Sequence, residues 1–198
     1  MMGLELAYTR ARDILGREQA ECLDAAVEVE RLRLVWRPER VRILVLAESH
    51  VWTSSDEVRS RVRHPDGKET GFARFVYCLG FGEPDLVEPP IAPNRGTPQF
   101  WKLFHDTVYG PTASHTPLMK SSEIGWQKRV QGKLDLLEKM QNAGNWLVDA
   151  SVSALYRNGI KPSKDDFNAV LRACWASHIG EVATGCARSA VLICRQRS

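Results

Sequence analysis

A mixed α/β fold is what this chain predicts, specifically a three-layer α/β/α sandwich around a short central parallel sheet, and three observations carry the prediction. Three short apolar runs stand out, VRILVLA at 41–47, WLVDA at 146–150 and AVLIC at 190–194. They are nearly continuous in apolarity, as strands covered on both faces are. Segments of helical periodicity alternate with them, and alternation argues for parallel strands between helical layers. With 198 residues, 43% of them hydrophobic, the chain is sized for one domain.

Residues 1–40 read as an N-terminal helical lead-in to an α/β domain at 41–198. Helical spacing over 7–15 and 18–32 places Cys22, Leu23, Ala26, Val27 and Val29 among Glu and Arg, until Pro38 interrupts. The first strand follows at 41–47, and polar chemistry begins abruptly after it at Glu48, Ser49 and His50. From there to about Gly71 the chain reads as a polar, irregular loop, with Arg59, Arg61 and Arg63 alternating before His64 and Pro65. Residues 72–79 read as helix, followed by a proline-rich connection.

Thr97 as N-cap and Pro98 at the first helical position open the next helix, whose Phe100, Trp101, Leu103, Phe104 and Val108 make a broad apolar face. That spacing favours core packing for these rings. After an irregular stretch at 109–125, Trp126, Val130, Leu134, Leu137 and Met140 recur at three or four, predicting a helix over 126–143 that Gly144 stops. The second strand comes next. Ser163 and Asp166 fit a capping box, opening a helix whose Phe167, Val170, Leu171, Cys174, Trp175 and His178 share one side. His178 reads there as a core or boundary residue. The third strand ends four residues before the last residue.

Ligands of open parallel sheets lie at the carboxyl ends of the strands. The residues to weigh are therefore Glu48, Ser49 and His50 after the first strand, Asp149 and Ser151 at the end of the second, and Arg195 after the third. Arg59, Arg61, Arg63 and His64 are suited to phosphate contact, since a guanidinium recognises anions in bidentate fashion.

Composition narrows the classes. The 27 Lys and Arg against 24 Asp and Glu leave a net charge of +3, with the surplus in residues 161–198, where Arg188, Arg195 and Arg197 outweigh the acids. Such a balance permits nucleic acid as a partner without requiring it. Cys22, Cys78, Cys174, Cys186 and Cys194 form an odd set without a C-x-x-C pair, so reduced thiols are expected, with no metal and no other cofactor. No apolar stretch is long enough to span a bilayer and the start lacks an export signal, so a cytoplasmic protein is expected.

The segments VLAESH at 45–50, GTPQFWKLF at 96–104, MQNAGNWLVDAS at 140–151 and SAVLIC at 189–194 resemble the uracil-DNA glycosylase superfamily. In that family a loop after the first strand holds the hydrolytic water, a second strand ends in an Asn that reads the flipped base, and a fourth ends in a His that supports the departing base. The resemblance puts Ala47, Glu48, Ser49 and His50 on the water-loop positions and Asp149 near the base-reading Asn. Ala47 replaces the family's Gly and His50 its Pro. An ionised Asp149 accepts from N3–H of uracil but repels its O4. A fourth strand and its His would need about 25 to 40 further residues. The reading therefore expects a chain truncated at its C-terminus, with an exposed strand edge that favours self-association.

What the resemblance implies is hydrolysis of the N-glycosidic bond of a deaminated base flipped out of DNA, as in base-excision repair. Glu48 would position the water, and a donor for the departing base is missing. Two alternatives stand beside it. One is a non-catalytic nucleic-acid-binding or interaction protein on the same scaffold. The other is a serine hydrolase using Ser49, against which His178 has Trp175, and not Asp, three residues before it.

Overall fold

The structure is a computed structural model, and it describes residues 2–115, 118, 124–186 and 190–193. Two helices come first, α1 (Met2–Leu15) and α2 (Leu23–Val35), then the strands β1 (Ile43–Ala47), β2 (Arg61–Arg63), β3 (Glu69–Gly71) and β4 (Val87–Glu88). The helices α3 (Pro98–Tyr109) and α4 (Trp126–Ala143) lead into β5 (Asn145–Asp149). The chain closes with α5 (Lys164–Cys174), a π-helical turn (Trp175–Ile179), α6 (Gly180–Thr184) and β6 (Ala190–Ile193). Arg188, Cys194, Arg195 and Arg197 lie outside the described residues.

The three apolar runs form one parallel sheet in the order β5-β1-β6. Ile43 pairs with Asn145 on one side and with Ala190 on the other, and the register carries Ala47 opposite Asp149. Pairing continues past the strand ends: Ala150 N–H donates to the Ala47 carbonyl at 2.8 Å and Ser151 N–H to the Glu48 carbonyl at 3.1 Å. The exits of β1 and β5 are thereby held side by side. Trp146 on β5 is fully buried and donates from Nε1 to the Arg33 carbonyl on α2 at 3.0 Å, which ties the lead-in to the sheet.

Two stretches differ from the sequence reading. The polar loop after β1 contains a second, antiparallel sheet in the order β3-β2-β4. Val62 is buried while Arg61 and Arg63 on either side are exposed, the two-residue alternation of a strand. Residues 72–79 are not helical but a chain of tight turns: Phe75 N–H donates to the Ala73 carbonyl, Cys78 to Phe75 and Phe81 to Cys78. Phe72, Phe75, Val76, Tyr77 and Leu79 are all buried, and Arg74, paired with Glu57, is the one charged side chain, so the segment has no helical period to keep. Gly80 makes the path possible, since a Cβ there would stand 2.7 Å from Val87 and 2.9 Å from Val62.

The helices fall closer to expectation. Trp101 and Phe104 of α3 are buried, and Phe104 stacks on Tyr77 with ring centroids 5.8 Å apart, so these rings serve the core. α4 spans the predicted 126–143 and ends at Gly144 in the left-handed conformation, φ +81°. Ser163 caps α5 by accepting from Asp166 N–H. Trp175, at the edge of that face, is exposed where the π-helical turn begins. Among the described residues no helix is long and apolar enough to cross a membrane. Cys22, Cys78, Cys174 and Cys186 are free thiols.

Candidate functional site

The paired exits of β1 and β5 bring His50 and Asp149 together, and the lead-in supplies the rest. His50 is completely buried; its Nε2 lies 2.5 Å from Glu21 Oε1 and its Nδ1 3.5 Å from Asp149 Oδ2. Glu21 is fixed in turn by Ala154 N–H at 2.9 Å and Thr53 N–H at 3.3 Å. Arg33, also buried, donates to Asp149 at 3.1 Å and to Glu30, and Glu30 meets His178 Nε2 at 3.1 Å. Three carboxylates thus share one guanidinium and two imidazoles inside the protein. Buried charges persist when they are paired in this way.

Burial works against a charged His50, but the charge of Glu21 and the contacts with Asp149 and Glu21 outweigh it and push the imidazole up to about 9. The two carboxylates thus favour the imidazolium form of His50. Glu30 is held below the usual carboxylate range, burial being outweighed by the charge of Arg33 and by its contacts with His178 and Arg33.

A small cavity opens on this group. It is lined by Ser49, His50, Val51, Arg74, Phe75, Thr97, Phe100 and Asp149 among others, and its volume is about 20 Å³. That is room for one water or one ligand oxygen. Two buried polar atoms on its lining residues, His50 Nδ1 and Thr97 Oγ1, make no hydrogen bond among the described residues. Thr97 stands at the start of α3 as expected, but its hydroxyl does not cap the helix. His50 packs edge-on to Phe75, and the Arg33 guanidinium lies 5.7 Å from the same ring.

The other expected site residues divide. Glu48 is half-buried and accepts from the Tyr156 hydroxyl at 2.8 Å; burial first, then the Glu48 contact, push that phenol up to about 12. Ser49 Oγ accepts from Leu155 N–H at 3.2 Å. Ser151 is buried, and its hydroxyl turns inward to the Ser153 carbonyl at 2.6 Å, so it serves the turn after β5 and does not line the cavity. Arg59, Arg61 and Arg63 stay exposed and do not line it either. Arg59 faces Asp56, while Arg63 pairs with Glu88 at 2.7 Å. Arg63 and His64 line a separate open groove of about 870 Å³ with Trp126, Lys128 and Gln131.

Sequence reasoning missed Glu21, Arg33, Thr97, Arg74 and Phe75. For Arg33 a signal existed: it follows Ala26 and Val29 at helical spacing and so continues a buried stripe of α2. Glu21 gave none, being one acid among many in the lead-in. Comparison with protein-family models, with curated proteins and with solved structures returns no match.

Proposed function

We propose that this protein is a uracil-DNA glycosylase-like N-glycosyl hydrolase, built as a three-layer α/β/α sandwich and acting on a deaminated base flipped out of DNA. The observation that carries the reading is the buried His50 on the cavity at the paired tips of β1 and β5, its Nε2 against Glu21 and its Nδ1 without a hydrogen bond among the described residues. An imidazolium there supplies the donor that the sequence lacked. It would accept the growing negative charge on a carbonyl oxygen of the departing base, while Asp149 accepts from the neighbouring ring N–H. The repulsion between Asp149 and a carbonyl is offset by the same imidazolium.

In this reading water attacks C1′ as the C1′–N bond breaks, Glu48 takes the water proton, and the base leaves with the bond's electron pair before it is reprotonated. The resemblance of VLAESH to the water loop supports that role for Glu48. The groove offers Arg63, paired with Glu88 at its edge, and Lys128 as cations for the phosphate backbone. The same groove favours a second reading, a nucleic-acid-binding protein without turnover, because a cavity of about 20 Å³ admits one base oxygen and not a whole ring.

The test is incubation with single- and double-stranded oligonucleotides carrying uracil, hypoxanthine or xanthine, followed by alkali. Strand scission that falls at least about 100-fold in Glu48→Gln is expected. Folded protein that retains the oligonucleotides in a salt-sensitive manner, with no scission, establishes the binding reading instead. Neither scission nor binding overturns both.

A further inference from the structure

We propose that His105, Asp106 and His115 form a binding site for a first-row transition-metal dication of the zinc class at the C-terminal end of α3. Two imidazoles and one carboxylate are the ligand set that such ions select over magnesium or calcium, and three protein ligands leave a coordination position open for water or substrate. The inference does not rest on the glycosylase reading, since none of the three residues lines the cavity at the strand tips.

The geometry is close to what an ion requires. One ligand atom from each residue lies within 4.8 Å of the others. His115 Nε2 is 2.7 Å from Asp106 Oδ1, and His105 Nδ1 is 4.0 Å from the same oxygen. Bonds of about 2.0 to 2.2 Å in a tetrahedral arrangement set ligand atoms roughly 3.3 Å apart, so small side-chain rotations complete the site. Adjacent helical residues such as His105 and Asp106 normally serve different faces. Here the chain reverses at Gly110, whose φ of +84° lets it leave the helix, and returns His115 against the last turn of α3. The His105 and His115 rings then meet edge to face with centroids 4.9 Å apart.

A second observation points to a ligand independently of the cluster. His105 is 8% exposed, and its Nδ1 has no hydrogen-bond partner among the described residues. A buried ring nitrogen without a partner costs free energy that a metal bond would recover. Tyr109 packs on the same ring at 4.7 Å and closes one side.

The test is titration of the full chain, freed of any affinity tag and of metal, with zinc against a chromophoric competitor and with cobalt(II) by visible absorption. The expected result is one equivalent bound with a Kd below about 10 micromolar, a cobalt spectrum without thiolate charge transfer, and no competition from magnesium. His115→Ala, in the loop beyond the helix, should weaken binding at least about tenfold with an unchanged far-ultraviolet spectrum, and Asp106→Asn should do the same. Zinc should also raise the thermal midpoint of the wild type and not of His115→Ala. No stoichiometric binding by folded wild type overturns the proposal, as does binding that survives His105→Ala combined with His115→Ala.

Discussion

Nε2 of His50 lies 2.5 Å from Oε1 of Glu21, and neither side chain reaches solvent. The pair joins the exit of β1 to the segment between α1 and α2, 29 positions earlier in the chain. Its charge state makes the stability of the fold depend on pH. His50 is raised from 6.5 to about 9. The stability it contributes is fully present below pH 6.5 and is lost as pH rises through 9. The size of that contribution is on the order of 3 kcal/mol. Urea midpoints measured between pH 6 and pH 10 should fall across this window, and His50→Gln should flatten the profile while lowering stability throughout.

Glu83 is a second buried carboxylate held by cations. It is completely buried and takes Arg129 at 2.8 Å and Lys133 at 2.9 Å. Removing it in Glu83→Ala leaves two cations without their carboxylate, at a cost of about 3 to 5 kcal/mol in a denaturant titration. Burial raises the Glu83 carboxyl, but hydrogen bonding to Arg129 and the charge of Lys133 outweigh it and hold it below its usual range. Its contribution is therefore present at neutral pH and lost on acidification below the ordinary carboxylate range, which Glu83→Gln should abolish.

Gly144 links α4 to β5 and sets where Asp149 falls. Its φ is +81°, and a Cβ would stand 2.7 Å from the Arg40 carbonyl. Gly144→Ala should lower stability by more than about 1 kcal/mol, measured by chemical unfolding, because both the backbone conformation and the approach forbid a side chain.

Ser49 should resist a fluorophosphonate probe in the folded protein. Its oxygen accepts from Leu155 N–H, and the Nε2 of the adjacent His50 is committed to Glu21. Stoichiometric labelling of Ser49 would reinstate the serine hydrolase.

How much of this could be read beforehand follows from the range of the forces involved. β1, α4 and the cap of α5 were legible because apolar spacing and capping side chains act within a few residues. Residues 72–79 were not, since buried apolar side chains around the single Arg74 erase the period on which a helix prediction depends. Arg61-Val62-Arg63 makes a strand too short to reveal its alternation. Ser49, His50 and Asp149, which line the cavity at the strand tips, were legible because parallel strands present their exits together, whereas Glu48 beside them turns to Tyr156 and does not line it. Glu21 was hidden because its role depends on a contact 29 positions away, and for Arg33 the stripe of α2 encodes burial but not the partner 116 positions away.

The shared burial of Glu21, Arg33, His50 and Asp149 has a bearing on inheritance. A neutral replacement at one of these positions strands an opposite charge in the interior, so lineages descending from this gene should gain or lose them as matched sets. Where position 50 carries an uncharged residue, position 21 should have surrendered its acid too. Such coupled drift would leave a correlated signature between a helical leader and a sheet that lie far apart in the reading frame.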